Sequence, residues 1–190
     1  DAPLEGIRRL LEVIRCEKIP RGTPLDISDV SSIRMGTTLA TNCALERNGE
    51  RCAFITTKGF KDILMIGDEP LYDMVVEIDE RVTLEDFSED PLCHKSEARE
   101  NDNTVVGNSG EVVRVLKVPS IEEIRSSLQL IYQSGIRSIA VAFLHSYTYP
   151  LHEQLVGRIA KAIGFTHVSL SSEVSPMIKH LPRAHSAVAD

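Results

Sequence analysis

The stretch Ser138–Leu144 is almost wholly apolar, and a helical pattern flanks it on each side, at Ile121–Gln133 and Pro150–Ile163. A strand with no polar face must be covered on both sides, which favours a parallel sheet with crossover helices. Ser120 stands at the first helix's cap position with Glu123 three residues on, and Gly164 stops the second. The same alternation runs along the rest of the chain. Asp1, Pro3 and the spacing of Leu4, Ile7, Leu10, Leu11 and Ile14 predict a helix over 1–18, ended by Pro20 and Pro24. A strand is expected at Ser31–Met35, a helix at Thr38–Arg47, a strand at Arg51–Thr56 and a short helix at Gly59–Ile66. Met74–Val82 alternates apolar and charged residues and reads as one half-exposed strand, antiparallel to its neighbour. Residues 85–110 lack periodicity and read as a surface excursion. Glu111–Val118 and His167–Leu170 are further strands, and a helix is expected from Ser175 onward. The fold class is therefore α/β, with a mixed, mainly parallel sheet and flanking helices.

At 190 residues and 42% hydrophobic content, one such domain has enough apolar material for a core. A net charge of −7 argues against nucleic acid as a partner, since phosphate neutralisation needs clustered Lys and Arg. No apolar run is long enough to span a membrane, and no signal peptide opens the sequence. Cys16, Cys43, Cys52 and Cys93 show no CxxC spacing, so they read as reduced thiols of a cytoplasmic protein and not as a zinc site. Asp1 and Asp190 are abrupt ends, and the chain is expected to be a region of something longer, incomplete on both sides.

Ligands of α/β sheets sit outside the carboxyl ends of the strands, where helix N-termini offer free N–H groups to anions. Two turns fit that position. In the first, Gly36 lets backbone approach a ligand, Thr37 and Thr38 supply hydroxyls, and Asn42 follows on the helix. Thr57 and Lys58 repeat the arrangement one unit later. Both also fit ordinary capped turns, since Thr is a normal cap and a loop Lys is normally solvated. His145 closes the apolar strand and is a candidate acid–base group or ligand-orienting donor, or else a hydrogen-bonded structural histidine. Ser146 beside it lacks a GxSxG elbow, and adjacent strand residues face opposite ways. Glu173 is a possible carboxylate. His145, His152 and His185 are too scattered to predict a metal site.

The run Ser32–Arg47, with GTTLATN at its centre, resembles a signature of the hydantoinase A/oxoprolinase family. So do Ala53–Asp62 (AFITTKGFKD), Val76–Val82, Phe143–Tyr147 and Gly164–Val174, which fall in family order. Gly164–Val174 and Met177–Asp190 are more similar to eukaryotic members acting on 5-oxo-L-proline than to bacterial hydantoinase subunits. The resemblance implies part of an actin-like ATPase (RNase H-like) architecture. It implies ATP-coupled hydrolysis of 5-oxo-L-proline to L-glutamate in glutathione metabolism, assisted by Mg2+ and K+. It also implies a homodimeric cytoplasmic enzyme, with the rest of this A half and a B half completing it. Gly36, Thr37, Thr38, Asn42, Thr57 and Lys58 would contact nucleotide phosphates or phosphorylated substrate, with His145 near the substrate. A hydantoinase or related carboxylase subunit is the alternative within the family, and a non-catalytic binding module the alternative outside it. The family's DxGGTFTD hairpin is absent here. Ile66-Gly67 also runs almost directly into Leu71-Tyr72, where the family has a longer segment, so 67–70 is not expected to be a natural junction.

Overall fold

The computed structural model describes residues 2–28, 46, 49–65, 70–85 and 103–190. The chain forms two compact units, Asp1–Leu39 and Ala40–Asp190.

In the first unit, helix α1 spans Ala2–Arg15. It ends three residues before the predicted stop, because Cys16 takes a left-handed conformation (φ 52°) that no helix continues. Arg8 organises the turn back. Its guanidinium donates to Glu5 at 2.9 and 2.7 Å and to the Ile19 carbonyl at 2.7 Å, while Glu12 accepts the Ile19 amide at 2.9 Å.

The second unit is built on a four-stranded, all-parallel sheet. Its strands are β1 (Cys52–Thr57), β2 (Met74–Ile78), β6 (Ser138–Ala142) and β7 (His167–Leu170), in the order β2-β1-β6-β7. Alternation along the two central strands feeds two cores. Ala53, Ile55, Ile139 and Val141 face helices α2 (Ile121–Gln133) and α3 (Leu151–Ile163), meeting Ile124, Leu128, Ile131, Val156 and Ala160. Cys52, Phe54, Ala140 and Ala142 face the other way and pack with Ala184 and Ala187 of α5 (His180–Ala189). A single turn, α4 (Ser171–Val174), joins β7 to α5. Three short strands, β3 (Arg81–Leu84), β4 (Thr104–Val106) and β5 (Val112–Lys117), form an antiparallel sheet in the order β3-β5-β4. It is pinned to the loop after β6, since Asn108 N donates to Thr148 O at 2.8 Å and Tyr147 Oη donates to Glu111 at 2.9 Å.

The mainly parallel sheet and the elements at 51–57, 121–133, 151–163 and 167–170 agree with the sequence-based expectation. Four expectations need correction, and the 85–110 excursion gains a strand. Of the predicted helix Gly59–Ile66, the described residues 59–65 are not helical. Successive i→i+3 turns run over Thr57–Met65, because Gly59 is left-handed (φ 92°) and the Glu77 carboxylate takes the Gly59 and Lys61 amides at 2.7 and 3.1 Å. Met74–Val82 is not one antiparallel strand. A tight turn, Glu80 N to Ile78 O, splits it into β2, parallel to β1, and β3 in the other sheet. The 85–110 stretch holds β4, paired to β5 through Val105–Val113. The apolar strand stops at Ala142, so His145 and Ser146 lie in a turn and the argument from opposite strand faces does not apply. The last helix begins at His180, not Ser175, after the separate turn α4. The predicted strand 31–35, the helix 38–47 apart from Glu46, and most of the 67–70 junction lie outside the described residues.

Candidate functional site

The carboxyl ends of β1, β6 and β7 collect most of the buried polar side chains of the second unit. Two buried acids hold them in place. Glu80, at the β2–β3 turn, is 1% exposed. It accepts a short hydrogen bond from Thr57 Oγ1 and meets His152 Nδ1 at 2.7 Å. Thr57 Oγ1 in turn accepts the Leu144 amide at 3.1 Å. The imidazole of His152 is buried, and its Nε2 has no partner among the described residues.

Glu153, in the first turn of α3, is fully buried. One of its oxygens takes the Phe143 amide at 2.9 Å and the Ser171 hydroxyl at 2.6 Å, and the other takes the Ser172 amide at 2.9 Å. Ser171 Oγ is also the acceptor for Arg183 Nε at 3.0 Å and lies 3.3 Å from Ser146 Oγ. The guanidinium of Arg183 is buried with further donations to Met177 O at 2.8 Å and Phe143 O at 2.5 Å. A buried acid and a buried base thus face one another across a single hydroxyl. This is a stable arrangement only where every lone pair and proton is used.

The side chains open to the surface lie over these two networks. His145 has a left-handed backbone (φ 56°), uncommon for any residue with a Cβ. Burial lowers its imidazole pKa, and the guanidiniums of Arg183 and Arg81 lower it further, which favours the neutral ring. Burial, then Arg183 and His145, push His180 down to about 4. Burial and the Glu111 carboxylate push Tyr147 up to about 12. The Tyr147 ring also lies under the Arg183 guanidinium at 5.9 Å. The chemistry on offer is a set of neutral N–H donors and guanidinium groups. That set suits holding an oxygen-rich ligand better than attacking one.

Of the predicted site residues, Thr57, Lys58 and His145 are brought to this edge. Thr57 is completely buried, and its hydroxyl is committed to Glu80 and Leu144. Lys58 is exposed and pairs with Asp79 at 3.3 Å; Asp79 also holds Lys117. Gly36, Thr37, Thr38 and Asn42 lie outside the described residues. Glu173 is exposed and takes no part in the network. Sequence reasoning missed Glu80, His152, Glu153 and Arg183 as site-forming residues, although the signal was present as parity. Glu80 shares the even positions of Val76, Ile78 and Val82. Glu153 precedes Val156 and Ala160 at helical spacing, and Arg183 precedes Ala187 by four.

A cavity of about 690 Å³ lies at the opposite, amino-terminal ends of the strands, beside Cys52, Tyr72, Ser138, His167 and Asp190. No group of three His, Cys, Asp or Glu among the described residues is placed to hold a metal ion.

Known proteins give the chain its kinship. The family described as Hydantoinase/oxoprolinase N-terminal region matches residues 1–164. A Saccharomyces cerevisiae 5-oxoprolinase is 69% identical over 204 residues, covering all of this chain and 16% of that protein. Arabidopsis thaliana 5-oxoprolinase 1 is 43% identical, with the same coverage of each. The acetophenone carboxylase gamma subunit of Aromatoleum aromaticum is 31% identical over 85% of this chain and 22% of its own length. The chain therefore spans about a sixth of the full-coverage relatives. The yeast match runs over 204 positions against 190 residues here, so at least 14 positions have no counterpart in this chain. Among solved structures, ATP-dependent caprolactamase from Pseudomonas jessenii shares the fold at a TM-score of 0.58 and 21% identity, covering 97% of this chain and 25% of that one. Nucleotide-free acetone carboxylase does so at 0.56 and 17%, covering 79% and 21%. With the family matched over most of its length and a relative of 69% identity along all of it, the chain belongs to the hydantoinase/oxoprolinase family, as part of its N-terminal region.

Proposed function

We propose that the chain is part of an ATP-dependent 5-oxoprolinase, which hydrolyses 5-oxo-L-proline to L-glutamate at the expense of ATP. The observation that carries this reading is the 69% identity to the yeast 5-oxoprolinase along the whole chain. ATP, assisted by Mg2+ and K+, would supply the phosphoryl group that makes a stable lactam open to water. A cytoplasmic homodimer, completed by the rest of the A half and by the B half, belongs to the same reading. So does the family's longer segment at the 67–70 junction.

Within this reading Gly36, Thr37, Thr38 and Asn42 make polar contact with nucleotide phosphates or the phosphorylated substrate. Thr57 serves by position, since its hydroxyl fixes Glu80 and the Leu144 amide beneath His145. Lys58 reaches an incoming anion by leaving an exposed pair with Asp79, a partner that keeps Lys117. His145 orients the substrate.

The test is ATP hydrolysis by the full-length parent, with and without 5-oxo-L-proline, alongside glutamate release. Coupled release supports the reading. Turnover coupled only to hydantoins would move the substrate assignment, and the absence of any nucleotide dependence would overturn the enzyme reading. The Thr37→Ala/Thr38→Ala variant should lose most activity with its circular dichroism unchanged, and wild-type turnover would remove these two residues from the site. The carboxylase alternative has one observation in its favour, the 31% identity to the acetophenone carboxylase subunit.

A further inference from the structure

The outer faces of α2 and α3 enclose a groove of about 270 Å³. Its floor is Leu155, Ile159, Ala162 and Ile163, which recur at helical spacing along one side of α3. Ala162 is exposed, and the other three are half-buried, with part of each resting on the main core. From Leu155 to Ile163 the groove runs about 12 Å, roughly two turns of a helix. Arg125 of α2 and Arg158 of α3 stand on its rim, both exposed.

The charge of this face runs against the composition of the chain. Asp and Glu outnumber Lys and Arg by 28 to 21 in the sequence. Yet the exposed charges of α3, Arg158 and Lys161, are both positive, and its one carboxylate, Glu153, is turned inward and fully buried. On α2, Glu123 accepts the Asp79 amide at 3.4 Å and Glu122 accepts the Ser120 hydroxyl at 2.8 Å. Glu122 feels the Arg125 charge, but no ion pair joins them among the described residues. Arg158 likewise pairs with no carboxylate among the described residues. Apolar side chains beside guanidiniums, with the acids withdrawn, match the composition of an interface core and not that of a solvated helix face.

We infer that this groove seats an acidic amphipathic helix from the part of the parent polypeptide outside these residues, with aliphatic side chains between α2 and α3 and carboxylates on Arg125 and Arg158. The inference rests on the proposed reading of the chain as part of a longer enzyme. This chain covers 16% of the yeast relative, so such an enzyme has ample further polypeptide to cover the face. The groove is smaller than the ~300–1,000 Å³ of small-molecule sites, and its polar residues are all exposed, so it suits side chains of a macromolecule better than a free ligand. A second copy docked through this face would bring Arg125 and Arg158 against their own images, like charge on like. A net charge of −7 turns the chain away from anionic lipid.

The test is thiol labelling of Ala162→Cys in the full-length parent, read at that peptide by mass spectrometry. Maleimide should react about tenfold more slowly, or slower still, than with the same variant unfolded in urea, since 1.4 kcal/mol of docking already gives that factor. Adding Arg125→Glu and Arg158→Glu, both at exposed side chains, should restore fast labelling. Adding Arg158→Lys instead should keep it slow, and a zero-length carbodiimide should then couple position 158 to an Asp or Glu outside residues 1–190. Fast labelling of Ala162→Cys by itself would overturn the docking. Slow labelling indifferent to both glutamates would mean that the cover is not acidic, and would overturn the occupant. So would slow labelling that appears only with phosphatidylserine vesicles, or coupling of position 158 only to a second copy in isotope-mixed samples. None of these readouts needs turnover. A parent that releases no glutamate therefore ends the 5-oxoprolinase reading and leaves the docking to be judged by labelling alone.

Discussion

Glu153→Gln tests whether the edge is held by a buried charge and not merely by shape. The substitution keeps the side chain's size. The amide oxygen can still accept from Phe143 N and Ser171 Oγ, but its NH2 then faces the Ser172 amide, a donor opposite a donor. One charge-assisted hydrogen bond is lost outright, and such bonds contribute about 1.5–3 kcal/mol. Two others become neutral, and Arg183 loses its counter-charge across Ser171. Breaking a buried pair costs about 3–5 kcal/mol. Ser171 separates this pair, and glutamine avoids the desolvation of a carboxylate, so the lower end, about 3 kcal/mol, is expected. Hydrogen exchange followed by mass spectrometry on the full-length parent reads this locally. Peptides covering 141–150 and 170–189 should exchange about a hundredfold faster than in the wild type, since 1.36 kcal/mol is a factor of ten. Those covering α2 should be unaffected. Glu173→Gln, the exposed acid nearby, is the control and should change nothing. Unchanged exchange in Glu153→Gln, or an equal change in Glu173→Gln, would refute the argument that a buried carboxylate fixes this edge.

Thr57→Val removes the donor to Glu80 and the acceptor of the Leu144 amide, and should destabilise the same loop by about 2–3 kcal/mol, seen as faster exchange around 143–147. Gly107→Ala places a Cβ 2.0 Å from Thr148 Oγ1 and 2.8 Å from Thr148 O, so the β4–β5 hairpin must withdraw from the loop that carries His145. Faster exchange at 104–112 together with lower turnover checks this, and an unaffected hairpin contradicts it. The folded-state pKa of His180, about 4, lies below the unfolded value near 6.5. The unfolded chain therefore binds more protons between those values, and stability falls as pH drops from about 6.5 towards 4. His180→Phe should flatten that limb of a thermal-shift titration, and an unchanged acid limb would mean another group sets it.

The legibility of the sequence follows from what each pattern encodes. Ser138–Leu144 reads as a buried strand, and Ile121–Gln133 and Pro150–Ile163 as helices, because burial and periodicity are local signals that survive without a partner. The Ser120 cap is present, its oxygen accepting Glu123 N at 3.4 Å. The reciprocal half of the capping box is absent, because the Glu123 carboxylate reaches the Asp79 amide instead, also at 3.4 Å. The failures at Gly59–Ile66 and Met74–Val82 share a cause. Glu77 draws two amides of the first segment into turns, and Glu80 turns inward to Thr57 and His152, splitting the second. Neither partner is visible from the segment it reshapes. A charged residue at an inward-facing position reads as a break in a pattern, although here it is what fixes the local structure.

Thr57 and Glu153 act on consecutive amides. Thr57 Oγ1 accepts from Leu144 N, and the Glu153 carboxylate accepts from Phe143 N. The two acceptors come from elements far apart in sequence, the end of β1 and the start of α3. Their pull on adjacent N–H groups defines the point where β6 stops being a strand, immediately before the left-handed His145. A parallel sheet brings the carboxyl ends of all its strands to one edge, which explains why the polar side chains meet there. It does not explain why the loop after β6 holds one shape. That shape follows from the two amides, the Arg183 bond to the Phe143 carbonyl and the Tyr147–Glu111 contact to the small sheet. Four elements thus constrain a turn of five residues, Phe143–Tyr147. A residue in a costly backbone conformation persists only where its surroundings enforce it, and these four contacts are what enforce it at His145.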